Sequence, residues 1–480
     1  MIMAREVDSG FQAKILQVSF CIVFMLATFV AFRNMMFGSK MLAKMLFLGF
    51  SGAAVVIALD NRYWLLPVFL FGFYRTIPQL KFTGAELGSL ILVAVFIARR
   101  AIHRDERIPG FWLLLLAALP FMFWMCLVWS MNPVGMNMFG SSRIGGRFYF
   151  KVILAFLTMF CLSFIRVGER ECKWLGLTTA AGYIVYVLSV FVFGSTDELG
   201  LNGVLHYELI RVSFVAPLFL CRFTPPELLA RLFPLLGFLV CFALSVYSGN
   251  RTAAARPALV GLLSPFFCRR DRMKTLLLAM LAAVVLCFVV AGHGRAWNLP
   301  YSVQRSLSFL PGKWDWRLQS YGFQDNFRKK LRFFAREHIA QRPWFGDGGF
   351  SLDYEEMAWT AANLDQEGIN LHVLSRNWHN VWLGMAADFG IPLSVAWALF
   401  MAVLLLWGGN ETKFLPPCSW QQTMYLYFYL LILVEFFNFF FNGGHSAKTA
   451  EQIFVWAGLM TAVRNGVRYR FGLAPRTFSA

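Results

Sequence analysis

The chain has 480 residues, of which 58% are hydrophobic and only 15% charged, with a formal net charge of +18. A soluble protein of this length needs far more polar surface, so the composition excludes a soluble globular enzyme. Apolar runs of about 20 residues, the length that a helix needs to cross a bilayer, recur along the chain. The sequence therefore predicts a polytopic membrane protein.

The apolar runs predict an all-α fold with about 12–14 membrane helices. In chain order, the predicted spans are 17–32, 41–59, 62–75, 84–98, 111–130, 148–166, 173–193, 206–222, 228–247, 252–268, 273–292, 391–408, 423–442 and 449–464. Several are short, and 62–75 follows its neighbour after only Asp60 and Asn61, so half-spans are among them. No small-residue cleavage site follows the first apolar run, which we expect to stay as the first helix.

The distribution of Lys and Arg predicts the orientation, because short basic loops stay in the cytoplasm. Four basic groups share one side if the N-terminus is cytoplasmic: Arg99, Arg100, Arg104 and Arg107; Arg166, Arg170 and Lys173; Arg269, Arg270, Arg272 and Lys274; and Arg464, Arg468 and Arg470. Arg143, Arg147 and Lys151 fall on the opposite side and depart from the rule. Topology thus explains much of the positive charge, and nucleic acid is not predicted as a partner.

This orientation divides the chain into four predicted parts. They are an N-terminal transmembrane bundle (1–292), a long outer loop (293–378), the C-terminal transmembrane helices (379–464) and a basic cytoplasmic tail (465–480). None of the nine cysteines falls in the outer loop, so neither a disulfide framework nor a cysteine-based metal site is suggested.

Residues 324–340 in the outer loop have the periodicity of an amphipathic helix. One stripe consists of Phe327, Leu331, Phe334 and His338, and the cations around it are Arg328, Lys329, Arg332 and Arg336. A basic amphipathic helix beside a membrane usually lies in the headgroup plane. Its cations either snorkel there or attract an anionic, lipid-linked substrate.

A glycine-rich turn follows this helix, with the sequence Pro343-Trp344-Phe345-Gly346-Asp347-Gly348. Proline ends the helix, and the glycines permit backbone conformations closed to other residues. Such a turn exposes backbone N–H groups that hold anions in some proteins, although most glycine-rich turns are only turns.

Two arginines lie at predicted outer helix ends. Arg211 begins one span, and Arg251 joins two spans in Ser248-Gly249-Asn250-Arg251-Thr252. Each arginine either snorkels, pairs with an acid such as Glu208, or binds an anion. A guanidinium group suits bidentate binding of phosphate oxygens, so a cleft that contains both arginines fits a diphosphate.

The exit of the outer loop carries His379 and Asn380. An imidazole at the boundary between a polar loop and a bilayer reaches water-soluble and lipid-attached groups alike, and its alternative role is to cap the next helix. Glu435 is an acid within a predicted span, which we expect to pair with a buried Arg or Lys. His445 lies in the last outer loop, whereas His338 is expected to face solvent.

Three of these segments together resemble the O-antigen ligase and Wzy-type polymerase superfamily of bacterial membrane glycosyltransferases. Ser-Gly-Asn-Arg-Thr at 248–252 resembles the family's Ser-Arg-Gly junction, and the turn at 343–348 resembles its Pro-x-x-Gly-x-Gly turn. His379-Asn380, followed by Asp388-Phe389-Gly390, resembles its His-Asn and Glu-x-Gly signature. The order along the chain also matches that of the family: the arginine junction comes first, followed by two spans, the long outer loop, the His-Asn motif and three final spans. Arg251 is flanked by Asn250 and Thr252, and Asp388 stands where the family more often has Glu, so the chain resembles a divergent member.

The resemblance implies a fold like that of the C-type glycosyltransferases and transfer of a glycan from undecaprenyl diphosphate to an acceptor hydroxyl. The implied site faces the periplasm from the inner membrane, with no nucleotide sugar, metal or cofactor. Arg211 and Arg251 would bind the diphosphate, and His379 would activate or position the acceptor. The predicted substrate-binding residues are Asn380, Gly346, Gly348, Arg328, Arg332 and His445.

The acceptor stays open, because a ligase, a polymerase and a protein O-glycosyltransferase share this donor. Their acceptors are the lipid A core, another glycan repeat and a protein hydroxyl, respectively, and the overall layout favours the ligase. A transporter or flippase without chemistry is the alternative of another class. The single long outer loop argues against transport, because alternating access generally uses gates on both sides of a central site.

Overall fold

The computed structural model describes residues 63–65, 83–102, 112–131, 146–193, 209–308, 310–315, 325–346, 378, 380–441 and 446–470. Within these ranges the chain forms α-helices and short 3-10 helices, and no β-strand. The predicted spans 17–32 and 41–59, and nearly all of 62–75, lie outside the described residues.

The described helices are numbered in chain order. Those before the outer loop are α1 (Gly84–Ile102), α2 (Trp112–Met131), α3 (Arg147–Ser163), α4 (Glu169–Phe193), α5 (Ala216–Arg222), α6 (Pro225–Leu229), α7 (Leu232–Tyr247), α8 (Arg251–Cys268) and α9 (Arg272–Gly292). The outer loop contains α10 (Tyr301–Leu307) and α11 (Asp325–Gln341). The last helices are α12 (Val381–Phe389), α13 (Ile391–Glu411), α14 (Trp420–Phe441) and α15 (Ser446–Arg470), and 3-10 helices cover Tyr63–Leu65, Leu209–Phe214 and Thr412–Phe414.

The prediction of an all-α polytopic membrane protein is confirmed. Among the described helices, four are long and apolar enough to cross a membrane: Trp112–Met131, Arg272–Gly292, Ile391–Phe414 and Trp420–Phe440. Two shorter apolar helices cover Tyr149–Ser163 and Leu232–Tyr247. The number of 12–14 spans stays a prediction, since the first predicted spans are not described.

The predicted span 206–222 was wrong as a continuous helix. The structure has a 3-10 helix that ends at Phe214, followed by the separate helix α5 from Ala216. Pro217 explains the break, because it has no N–H group to donate to the carbonyl of Ser213. Proline fits the first turn of a new helix instead, which is its position in α5.

The helices on either side of the outer loop share one hydrophobic core, to which α2, α3, α13, α14 and α15 all contribute. The predicted parts 1–292 and 379–464 therefore pack against each other. Helix α15 continues to Arg470, so the predicted tail begins within a helix.

Helices α3 and α15 pack closely against each other through small residues. Gly458, Ala462 and Gly466 recur at every fourth position of α15 and so lie on one side of that helix. The Val167 amide just after α3 donates to the Ala462 carbonyl at 3.1 Å. A side chain at Gly466 would overlap the Val167 carbonyl. Small residues let membrane helices approach closely, which is the packing seen between these two.

Polar contacts join the ends of several spans at one end of the bundle, here called the Arg270 end. Arg270, just after α8, donates to the Cys418 sulfur at 2.9 Å. Glu169, the first residue of α4, accepts the Trp420 amide at 2.6 Å. The end of α8 and the beginnings of α4 and α14 therefore meet there.

Three further cations of the basic loops extend the Arg270 end. Arg166 lies 4.2 Å from the centre of the Tyr469 ring. Arg464 and Arg468 bind the buried carboxylate of Glu411, at 2.9 and 2.7 Å, where α13 ends. These contacts agree with the predicted grouping of the basic loops on one side of the membrane.

One of the cations that departed from this grouping is neutralised at the opposite end. The Lys151 ammonium lies 3.3 Å from the Glu86 carboxylate, and Glu86 is 1% exposed. Glu86 also accepts the backbone N–H of Thr83 and so caps α1. The positive charge of Lys151 is therefore matched by a carboxylate within the bundle.

We expect Gly466→Ala to destabilise the protein by about 1–3 kcal/mol, because the new methyl group forces α15 away from the Val167 carbonyl. Thermal unfolding of the purified protein in detergent measures the effect. Gly261→Ala in α8 is the matched control, since its methyl group would meet Leu220 at an ordinary 3.4 Å. Equal melting temperatures for the two variants would contradict the proposed close contact.

Candidate active site

The turn between α7 and α8 positions Arg251. Gly249 has a φ of +67°, which directs the chain back into the bundle. Asn250 then caps α8, since its side-chain oxygen accepts the amides of Thr252 and Ala253 at 2.9 and 3.2 Å. Arg251 is consequently the first residue of α8, at the positive end of that helix's dipole.

The first helix of the outer loop holds the Arg251 side chain. The Arg251 guanidinium is half-buried and donates to the Ser308 hydroxyl at 2.7 Å. Ser306 on α10 donates to the Val246 carbonyl at 2.8 Å, which docks α10 on the end of α7. We call the end of the bundle where Arg251, α10 and the end of α7 meet the Arg251 end. The outer loop therefore contacts the arginine that the sequence assigned to the diphosphate.

Arg211 lies in the 3-10 helix Leu209–Phe214, beside α7 and α8. Its side chain is half-buried. The structure thus brings the elements that carry Arg211 and Arg251 together.

The arginine that sequence reasoning missed is Arg256, which is 4% exposed within α8. Its Nε and Nη2 atoms lie 3.2 and 2.5 Å from one oxygen of Glu435 on α14. The prediction that Glu435 pairs with a buried cation is confirmed. A signal was present in the sequence, since Arg256 interrupts an apolar run five residues after Arg251.

The glycine-rich turn docks on the far end of α12. The Ile391 amide donates to the Pro343 carbonyl at 2.8 Å. Gly390 has a φ of +89° and a ψ of 161°, a region almost restricted to glycine, and a Cβ there would overlap the Trp344 carbonyl. Gly346, with a φ of +60°, approaches the Asp388–Phe389 backbone so closely that a Cβ would lie 2.5 Å from it.

Asn380 lies at the other end of α12. Its side-chain oxygen caps the helix by accepting the Leu383 amide at 3.0 Å, and its nitrogen donates to the Phe440 carbonyl of α14 at 3.4 Å. The nine residues of α12 separate Asn380 from the docked turn by about 13 Å. The structure therefore brings Asn380 next to α14 and does not bring Gly346 next to Asn380.

Asp388, the buried acid of the segment that resembles the Glu-x-Gly signature, binds Trp378, the residue before His379. The Trp378 indole donates to the Asp388 carboxylate at 3.2 Å, and both side chains are buried. His338 of α11 lies edge-on to the Trp378 ring at 5.4 Å and is half-buried. The prediction that His338 faces solvent was wrong, because its stripe packs on Trp378.

The amphipathic character of α11 is confirmed. Leu331 and Ala335 are fully buried, whereas Arg332 and Arg336 are exposed. Other predicted site residues, namely His379, Gly348 and His445, lie outside the described residues, and for Arg328 only the backbone is described. No group of three metal-ligating side chains occurs in the described ranges.

We expect Gly390→Ala to release the docked turn, because the new methyl group would overlap the Trp344 carbonyl. Hydrogen exchange should then be faster at the amides of Gly346 and Ile391, which are bonded in this turn. Gly294→Ala is the matched control, since Gly294 also has a positive φ but its Cβ would meet Lys313 only at 3.8 Å. Unchanged exchange at both amides would contradict the docking role.

Comparison with known proteins identifies the region that holds these motifs. A family model described as O-antigen ligase matches residues 236–398. The match includes Arg251, Gly346 and Asn380, whereas Arg211 and Glu435 lie outside it. No curated protein matches the chain. The family supports a ligase- or polymerase-like role in polysaccharide assembly. About a third of the chain thus matches the O-antigen ligase family, and the resemblance to that superfamily is confirmed.

Proposed function

We propose that the protein is a glycosyltransferase of the bacterial inner membrane that moves a glycan from undecaprenyl diphosphate to an acceptor hydroxyl at the periplasmic face. The observation that carries this proposal is the position of Arg251. It begins α8, contacts the outer loop through Ser308 and lies beside the element that contains Arg211.

The Arg251 end of the bundle suits an anionic leaving group. A guanidinium binds phosphate oxygens in a bidentate manner, and the positive end of a helix dipole adds to the attraction. During transfer, the bond between the sugar's anomeric carbon and the diphosphate oxygen breaks, and the electron pair stays on the diphosphate. Arg211 and Arg251 would stabilise that charge, so the proposed step uses neither a metal nor a nucleotide sugar.

The acceptor would bind at the Asn380 end of α12. The acceptor oxygen forms the new bond to the anomeric carbon, and His379 takes the hydroxyl proton or positions the hydroxyl. An unperturbed imidazole has a pKa of about 6.5, which suits a general base at neutral pH. The bonds of Asn380 to Leu383 and Phe440 support a role in fixing the chain next to His379.

The other predicted substrate contacts stay proposals. Arg328 and Arg332 on α11 would attract the anionic donor, and the exposure of Arg332 supports that role. Gly348 and His445 would line the cleft. Gly346 is buried against backbone in the structure, so its contribution to binding would come through the turn that it shapes.

Three acceptors fit the same donor chemistry. We favour the ligase, with the lipid A core as acceptor, and keep a polymerase that adds to another glycan repeat as the alternative; a protein hydroxyl is the third acceptor. The glycans of a deletion strain separate the first two. Intact polymer that is not attached to the core indicates a ligase, whereas loss of chain length indicates a polymerase.

We expect Arg251→Ala to lower the transfer rate by about 100- to 1,000-fold, the usual effect of removing one donor to a developing anion. The assay uses purified protein and the glycan-loaded undecaprenyl diphosphate that the deletion strain accumulates. Arg251→Lys should recover only part of the rate, because an ammonium group lacks the bidentate geometry. Arg295→Ala, at an exposed arginine of the same loop, is the control and should transfer normally.

We expect His379→Ala to lower transfer by about 100- to 10,000-fold while donor binding is retained, because general-base catalysis contributes that range. The same assay measures the rate, and binding of undecaprenyl diphosphate is measured separately. Normal transfer by both His379→Ala and Arg251→Ala would exclude the proposed roles of these residues. Absence of transfer by the unmodified protein would favour a transporter without chemistry.

A further inference from the structure

The buried ion pair of Arg256 and Glu435 lies deeper in the bundle than Arg251. Arg256 is about 7 Å further along α8 than Arg251, at the helical rise per residue. Its guanidinium contacts Glu435 on α14 through two nitrogens and donates to the Ser213 hydroxyl through the third. The guanidinium carbon also lies 3.8 Å from the centre of the Phe214 ring.

These contacts tie three elements together. Arg256 belongs to α8, Glu435 to α14, and Ser213 and Phe214 to the 3-10 helix that carries Arg211. Phe214 is fixed further, since its ring stacks on Tyr183 at 5.2 Å and its carbonyl accepts the Tyr427 hydroxyl at 2.9 Å. Placing charged residues within membrane helices costs free energy, and residues retained there usually serve a function.

We propose that Arg256 is a positioning residue that sets the relative placement of Arg211 and Arg251 for one diphosphate. This inference rests on the proposed function. Arg211 lies two residues before Ser213, and Arg251 lies five residues before Arg256 on the same helix. The bond from Arg256 to Ser213 therefore links the two arginine-bearing elements directly.

The geometry gives Arg256 a different role from Arg251. Arg256 is 4% exposed and its charge is matched by Glu435, whereas Arg251 is half-buried at the helix end. A short 3-10 helix has poorer hydrogen-bond geometry than an α-helix and gains rigidity from outside contacts. Two guanidinium groups bind a diphosphate together only at a fixed separation. A misplacement of about 1 Å in an active site can lower the reaction rate by a factor of about 100.

The decisive variant is the pair Arg256→Met with Glu435→Leu. It removes both charges and keeps similar volumes, so no buried charge is left unpaired and the fold should persist. The probes are undecaprenyl diphosphate and undecaprenyl monophosphate, which bind to purified full-length protein in nanodiscs. We expect the Kd for the diphosphate to rise about tenfold or more, because one charged hydrogen bond is lost.

The monophosphate separates positioning from a general loosening of the structure. It needs one guanidinium at a time, so its Kd should change by less than about threefold. A diphosphate Kd equal to that of the unmodified protein would overturn the proposal. An equal rise for both lipids would overturn it as well, because a merely structural defect has that effect.

Ser213→Ala keeps the proposal testable if the double variant does not fold. It removes the hydroxyl that joins the 3-10 helix to Arg256, together with the bond of that hydroxyl to the Ile210 carbonyl, and leaves the ion pair with Glu435 in place. We expect a smaller rise of the diphosphate Kd, again with the monophosphate Kd unchanged. Unchanged binding of both lipids by Ser213→Ala would contradict the link to Arg211.

Arg251→Ala in the same binding assay distinguishes the two proposals. If it leaves the diphosphate Kd unchanged, the proposed donor site is wrong. If it raises that Kd while the double variant and Ser213→Ala bind normally, the donor site stands and only the positioning role of Arg256 is wrong.

Discussion

The arrangement of the bundle depends on how charge is matched within the membrane. An isolated guanidinium in a hydrocarbon environment has a high free energy. Arg256 on α8 therefore requires a carboxylate at the same depth in the membrane. Glu435 on α14 provides it, at 2.5 Å. The requirement fixes the two helices against each other at one depth, and it brings Ser213 and its 3-10 helix to the same place. The proposed donor site is built directly above this pair.

Glycines connect the outer loop to that bundle. Gly390 and Gly346 allow two stretches of backbone to approach more closely than any side chain would permit. The Ile391 amide, which begins α13, is bonded to the Pro343 carbonyl of the turn. These glycines belong to segments that resemble family motifs, yet their observed contacts are with backbone. Their role is therefore structural: they allow α11 and α12 to pack on the membrane helices.

Much of the fold could be predicted from local sequence, because hydropathy and helical periodicity act over neighbouring residues. The spans from 228–247 to 273–292, the stripe of α11 and the helix-end position of Arg251 follow from such patterns. The break at Pro217 was also local, but the apolar run 206–222 outweighed it. Proline interrupts the hydrogen bonds of a helix, an effect that hydropathy does not register.

The contacts between distant segments could not be predicted in the same way. Nothing near Arg256 in the chain indicates Glu435, which lies 179 residues later, and a single sequence gives no pairing between them. The docking of Gly346 on Phe389 is hidden for the same reason. A partner for Glu435 could be expected, since acids within membrane helices are usually paired, but local patterns do not indicate which residue it is.

Helix α14 joins the two halves of the proposed site. Its Glu435 binds Arg256 below the donor arginine, and the carbonyl of its Phe440 accepts the Asn380 side chain next to His379. The two positions are five residues apart, or about 7 Å along the helix. Sites built on helices hold their geometry more precisely than sites built on loops. If the donor and the acceptor both bind against this one span, their separation is set by the helix itself, and the outer loop has only to enclose them.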